Sequence, residues 1–184
     1  MNIRAKSEKG FSLIELLVVV AIIGVLAAVG VVGYQGYIDS TKQSVTESNS
    51  KAIHQWILNT KTVRAAGIEV DPSTCDGSDL AACFEGASGV ASSFDNAPFQ
   101  GFKNPYSTSD TGTDAIVGFS ASTAPATDNT VACTTHHASA TKGDIMIWYE
   151  NGTVQSGGTD INVFYCSIDG KIKKQTGLTD ITWN

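Results

Sequence analysis

From Leu16 to Ile38 the chain reads LLVVVAIIGVLAAVGVVGYQGYI, without a single charged residue. As a helix this run rises about 35 Å, enough to cross a hydrocarbon core of about 30 Å. Arg4, Lys6 and Lys9 lie before it, opposed only by Glu8, and Asp39 is the first charge after it. Basic residues stay on the cytoplasmic side of such a span, so residues 1–10 are expected inside and everything beyond about residue 40 outside. A conventional secretory signal has its small-residue cleavage site after the apolar core. Here the matching Ala28–Gly30 site falls in the middle of the run, which argues against that reading.

Glu15 is the residue that hydropathy does not account for. A carboxylate one turn inside an apolar helix costs roughly 2.5–3.5 kcal/mol on insertion scales and marks a functional position by default. The run offers it no cationic partner. Cleavage after Gly10 creates one, the α-amine of Phe11, with a reference pKa of about 7.7–8.0. Within one chain that amine stands about one helical turn from Glu15. Between staggered copies, the amine of one chain can meet the carboxylate of the next. Glu15 is therefore read as an assembly residue.

The segment EKG-FSLIELLVVVAIIGVLAAVGVVGYQGYI resembles the leader junction and N-terminal helix of type IV pilins and the related pseudopilins. The resemblance runs over roughly residues 4–40. It rests on a short basic leader, Gly10 before the cut, aromatic Phe11, and Glu15 within LIEL. It implies an α+β fold, a long helical spine carrying a C-terminal antiparallel β-sheet head. It also implies that a prepilin peptidase of the inner membrane cuts between Gly10 and Phe11 and methylates the new amine. Gly10 suits such a junction because bare backbone can be approached closely. The implied product is a subunit of an extracellular pilus serving adhesion, motility or DNA uptake, whose partners are identical subunits and the assembly machinery. A minor pilin or a type II secretion pseudopilin would share the same N-terminus, and a monomeric signal-anchored binding domain is the remaining alternative. One departure stands out: Val32 occupies the position where family members usually carry proline. If the helix melts on assembly, the melting is expected over Gly24–Gly36, because each glycine there weakens a helix by about 1 kcal/mol relative to alanine. Close helix packing at these small residues is the competing reading.

The domain plan follows: leader 1–10, apolar helix 11–38, amphipathic helix 39–67, and a loop-rich β head over 68–184. Val45, Ala52, Trp56 and Val63, with Ile53 and Ile57 beside them, mark one face of the second helical part. That face is expected to pack on the chain's own sheet. Gly67 is the expected stop. Strands are expected at 115–121, 144–150, 161–168 and 171–176, with Asn151-Gly152 and Asp169-Gly170 as turns. Ile172 sits between lysines, as in an edge strand guarded by charge.

The charge balance argues against bulk electrostatic binding to nucleic acid. The net charge is −6, and beyond residue 10 there remain 9 basic and 17 acidic residues, a balance of −8. Bulk phosphate contact needs clustered Lys and Arg, and an acidic body argues against it, leaving room only for a local basic patch. Cys75, Cys83, Cys133 and Cys166 form no C-x-x-C pair, and an even count outside the membrane fits disulfides in an oxidising compartment. Three pairings are possible; Cys75–Cys83 and Cys133–Cys166 are favoured as nearest in chain. Pilins often carry a disulfide bounding a C-terminal loop, a resemblance that supports only the second pair.

No cofactor, metal site or enzyme activity is expected. His136-His137 lacks converging ligands. Asp110–Asp114 has too few oxygen donors for a complete calcium loop. Asn151-Gly-Thr153 fits a glycosylation sequon but is explained by its turn. No catalytic motif occurs at a recognisable spacing.

Overall fold

The computed structural model describes residues 10–68, 83, 102–107, 115–126, 130–135, 140–151, 158–175 and 177–183. The chain divides into two units, Met1–Ser40 and Thr41–Asn184. Helix α1, Leu13–Ala65, begins in the first unit and continues into the second. At about 1.5 Å per residue it is close to 80 Å long.

In the first unit every residue from Leu13 to Tyr37 is exposed. The helix is unbroken through Gly24, Gly30, Gly33 and Gly36. The anticipated melting concerns the assembled state, and the isolated chain is helical there.

In the second unit the helix ends as its sequence demands. Gly67 adopts φ +72. Its N–H donates to the Arg64 carbonyl at 2.9 Å, and the Ile68 N–H reaches back to the Val63 carbonyl at 3.3 Å. This pair of bonds is the Schellman motif, which satisfies carbonyls that the helix end would otherwise leave open.

The buried face of the helix is Thr46, Ser50, Ile53, His54, Ile57 and Thr60. This corrects the expected stripe: Ile53 and Ile57 are its centre, whereas Val45 and Ala52 are exposed. The reason is that small polar side chains on this face find partners and so bury at little cost. Thr46 Oγ1 donates to the Lys42 carbonyl at 3.0 Å, and Ser50 Oγ lies 3.2 Å from Gln175 Oε1. His54 Nε2 lies 2.9 Å from the Thr179 carbonyl oxygen.

Behind the helix stands a five-stranded sheet: β1 Ile116–Ala121, β2 Ile145–Glu150, β3 Thr159–Cys166, β4 Ile172–Lys174 and β5 Ile181–Trp183. Its order is β1-β2-β3-β4, and β5 pairs with β3 beyond the end of β4. The β2–β3, β3–β4 and β3–β5 pairs are antiparallel, as expected of the head, while β1 joins β2 in parallel. The long connection from 122 to 144 makes that parallel return possible, since a short hairpin cannot. β5 was not foreseen from the sequence, although Ile181 and Trp183 alternate with Thr182 as a half-buried strand should.

Both faces of the sheet are covered. Ile145, Ile147 and Tyr149 of β2 and Ile161, Val163 and Tyr165 of β3 pack with Ile53 and Ile57 of the helix and with Trp183. Met146, Trp148, Phe164 and Ile172 on the opposite face pack with Cys133 and Ala140. A strand buried on both faces reads as a continuous apolar run, which is why IMIWY shows no alternation.

Polar bonds tie the helix to this core. Tyr165 Oη donates to Glu47 Oε1 at 3.2 Å, and Gln43 Nε2 donates to the same oxygen at 3.1 Å. Burial, then the Glu47 charge and this bond, then Asp169, push the Tyr165 phenol up to about 12. At the helix end the Arg64 guanidinium lies 5.5 Å from the Trp183 ring centre.

The β3–β4 turn is one residue longer than the two-residue form its Asp-Gly dipeptide suggests. Gly170 N–H donates to the Ser167 carbonyl at 2.9 Å, and Ser167 N–H to the Lys171 carbonyl at 3.0 Å. Gly170 has φ +72, but Asp169 does not have a positive φ. A two-residue turn needs positive φ at both central positions (type I′) or at the first (type II′), here Asp169; a type I turn closed by one left-handed glycine needs it only at that glycine. The latter, three-residue form is what the chain adopts.

The outer flank of this hairpin is closed by Thr130–Cys133. Ala132 bridges Lys171, Ile172 N–H donates to the Val131 carbonyl at 3.0 Å, and Cys133 N–H to the Gly170 carbonyl at 3.0 Å. Lys171 Nζ adds a bond to the Thr130 carbonyl at 3.0 Å. The edge lysines are paired: Lys173 with Asp169 at 3.8 Å and Lys174 with Asp180. A disulfide joins Cys133 to Cys166 under this flap.

The stretch ahead of β2 is anchored by a buried amide. Asn104 Nδ2 donates to Asp144 Oδ1 at 2.6 Å, the Lys142 carbonyl at 2.8 Å and Thr141 Oγ1 at 3.2 Å. Its Oδ1 accepts from the Tyr106 N–H at 2.7 Å. Asp144 Oδ2 accepts from the Thr141 N–H at 2.6 Å and from Thr141 Oγ1 at 3.1 Å.

Candidate assembly and processing site

Gly10, Phe11 and Ser12 precede the first helical residue. Gly10 is exposed, and a Cβ placed on it would meet nothing within 4 Å. Phe11 is 86% exposed. The expected cleavage junction is thus non-helical backbone that a peptidase can reach in the isolated chain.

Glu15 lies in the first turn of α1 and is exposed. Its Oε2 accepts from the Ser12 N–H at 2.8 Å and from Ser12 Oγ at 2.7 Å. The Glu15 N–H in turn donates to Ser12 Oγ at 3.3 Å. This reciprocal arrangement is a capping box, in which the residue before the helix and the third residue within it satisfy each other's free donors. Sequence reasoning singled out Glu15 but passed over Ser12. The signal was there: serine three residues ahead of glutamate, immediately before an apolar run.

Cleavage between Gly10 and Phe11 would leave the box intact, because its backbone donor is the amide of Ser12. Glu15 Oε1 makes no hydrogen bond or ion pair among the described residues. The site therefore offers a carboxylate with one oxygen engaged and one open, next to a junction whose cutting would generate an amine.

The remaining candidates fall out as follows. Cys83 is buried and disulfide-bonded, while Cys75, its expected partner, lies outside the described residues. So do His136-His137, Asp110–Asp114 and Thr153. Asn151 is exposed at the end of β2 with φ +56, as a turn position favouring asparagine requires. Among the described residues no three His, Cys, Asp or Glu side chains gather into a metal-binding group.

A long apolar N-terminal helix followed by a C-terminal sheet of mainly antiparallel strands is the pilin-like α+β architecture. Residues 5–31 match the family model described as the prokaryotic N-terminal methylation motif. The chain thus carries a prepilin-type methylation motif of the kind found in the pilin and pseudopilin superfamily, and the match spans the junction, Ser12 and Glu15. Neither a curated protein nor a solved structure matches the chain.

Proposed function

We propose that this chain is the precursor of a type IV pilus subunit, cut between Gly10 and Phe11, methylated on the Phe11 amine and polymerised through its apolar helix. The observation that carries this reading is the exposure of that helix. Leu13, Ile14, Leu16, Leu17, Val25 and Leu26 are all more than half exposed in the isolated chain. Apolar surface of this extent is not left in water: lipid covers it first, and then the same surface of other copies. α1 is long and apolar enough to cross a membrane, so the inner membrane can hold the precursor before export.

In this reading the leader keeps the precursor's N-terminus cytoplasmic through its basic residues. Its removal deletes that anchor and supplies the cation for Glu15. The amine of one copy pairing with the carboxylate of the next sets the axial register, and apolar helix contact supplies the area. The sheet-bearing unit then lies outside and contacts the target, with prepilin peptidase and the assembly machinery as transient partners.

The N-terminal sequence and intact mass of protein sheared from cells test this. The expected product starts at Phe11 and carries one added methyl. Retention of Met1 with an unmodified Phe11 would leave a signal-anchored monomer as the function. A protein absent from sheared fibres, whose deletion blocks secretion of other proteins, would be a pseudopilin of a type II secretion system.

A further inference from the structure

We infer that Lys42, Lys103 and Lys142, gathered around Tyr106, form a basic surface that rests on anionic phospholipid headgroups while the precursor is membrane-anchored. The inference rests on the anchored state described above and adds a partner for the sheet-bearing unit. Beyond residue 10 the chain has only 9 basic residues, and three of them meet at one turn. Lys42 Nζ stands 5.3 Å from the centre of the Tyr106 ring. A Cβ on Gly143 would come within 2.6 Å of Tyr106 Cδ2, so the same ring also lies against the backbone next to Lys142. The Lys142 carbonyl accepts from Asn104 Nδ2 at 2.8 Å, Asn104 Oδ1 accepts from the Tyr106 N–H at 2.7 Å, and Lys103 directly precedes Asn104. Lys103 and Lys142 are exposed, Lys42 is half-buried, and none of the three forms an ion pair among the described residues. The lysines of the β4 hairpin differ: Lys173 and Lys174 are paired with Asp169 and Asp180, and Lys171 is bonded to the Thr130 carbonyl. Two carboxylates oppose the patch: Asp39, three residues before Lys42, and Asp144, which is 1% exposed and held by Asn104 and Thr141. The five groups, three basic and two acidic, still balance at +1, against −8 for the whole chain beyond residue 10.

The partner follows from where the patch is tied to the chain. Tyr34 and Tyr37, 66% and 69% exposed, close the charge-free run, the placement of aromatics that sit at headgroup level. Lys42 is four residues after Ile38, so the chain allows no more than about 14 Å between them in any arrangement. The headgroup layer is about 5–7 Å deep, and at physiological salt a surface charge is felt for about 8 Å beyond it. Lys42 cannot leave that field, and Tyr106 and Asn104 keep the other two lysines beside it. Lysine stems lie along apolar surface while their ammonium groups reach phosphate, and a tyrosine tolerates both media. Nucleic acid would have to approach past an acidic body, whereas the chain itself brings the membrane to the patch.

The test places the full-length chain in lipid discs of phosphatidylcholine alone or with about one third phosphatidylglycerol. Lysine reactivity is read by reductive methylation with formaldehyde, a neutral reagent, followed by peptide mass spectrometry. Lys42, Lys103 and Lys142 should react roughly fivefold more slowly in the anionic discs, the scale of one lysine at an anionic surface. Lys51 and Lys61 should be unchanged, and about 0.5 M salt should abolish the difference. In K103Q/K142Q the protection of Lys42 should shrink to less than about twofold. Equal rates for the three lysines in both discs would overturn the inference and leave membrane anchoring standing. Equal slowing of every lysine would show a field on the whole molecule without a built surface, and would also overturn it. Full protection of Lys42 in K103Q/K142Q would reduce the surface to one residue. Duplex DNA protecting the same lysines in neutral discs as strongly as phosphatidylglycerol does would replace lipid with nucleic acid as the partner. A chain that fails to enter discs of either kind would remove the anchored state itself, and this inference with it.

Discussion

Replacing Asn104 with alanine should destabilise the sheet-bearing unit far more than its place in a loop suggests. Asn104 is 3% exposed and Asp144 only 1%. The substitution removes the buried bond to Asp144 Oδ1 and the half-buried ones to the Lys142 carbonyl and from the Tyr106 N–H. A hydrogen bond to a charged group contributes about 1.5–3 kcal/mol, and a neutral one about 0.5–1.5 kcal/mol. Asp144 keeps its Thr141 partners on Oδ2, which limits the damage, so the expected loss is about 3–5 kcal/mol. The assay is urea denaturation of detergent-solubilised chain, followed through the buried Trp148 and Trp183. With a slope near 2 kcal/mol/M the midpoint should fall by about 2 M. A shift below about 0.5 M would refute the reasoning, because it would mean that the amide contributes no more than an ordinary surface group.

Three further perturbations read other parts of the fold. The Cys133–Cys166 link closes a sequence separation of 33, so the Cys133→Ala/Cys166→Ala chain should lose about 3–4 kcal/mol in the same assay, and unchanged stability would refute that estimate. Gly67→Ala forces a side chain into φ +72 and should cost about 1–2 kcal/mol at the helix end, read as lost amide-exchange protection over the final turn. The Tyr165 phenol is raised from 10.0 to about 12 in the folded chain. Its contribution is therefore fully present below pH 10 and disappears as pH rises through 12, and Tyr165→Phe should flatten stability against pH across that window.

The N-terminal half was legible because its physics is one-dimensional. A charge-free run, basic residues before it and an acid inside it are all read along the chain, and Gly67 marked the stop through its backbone freedom. β2 and β3 were legible as apolar runs between turns. What escaped depended on contacts between distant residues. The helix face was misjudged because Thr46, Ser50 and His54 look solvent-facing until Gln175 and Thr179 supply partners. β5 is too short to carry a periodic signal, and only pairing with Thr159–Ile161 defines it. The parallel entry of β1 likewise depends on a return path that local pattern does not encode. Ser12 is the opposite case: its signal was local, but the apolar run beside it drew the attention.

The flap at Thr130–Cys133 has a consequence at high protein density. An uncovered strand edge presents free N–H and C=O groups that can pair with another molecule. Polymerisation of a subunit crowds its folded parts side by side at local concentrations that a dilute monomer never meets, by the same logic that makes tethered binding effectively intramolecular. Here the edge at Lys171 and Ile172 is already paired to the flap, and the Cys133–Cys166 bond fastens that flap to β3. In the proposed polymer, neighbours would meet that stretch of edge already paired, which takes Lys171 and Ile172 out of strand-to-strand pairing between copies.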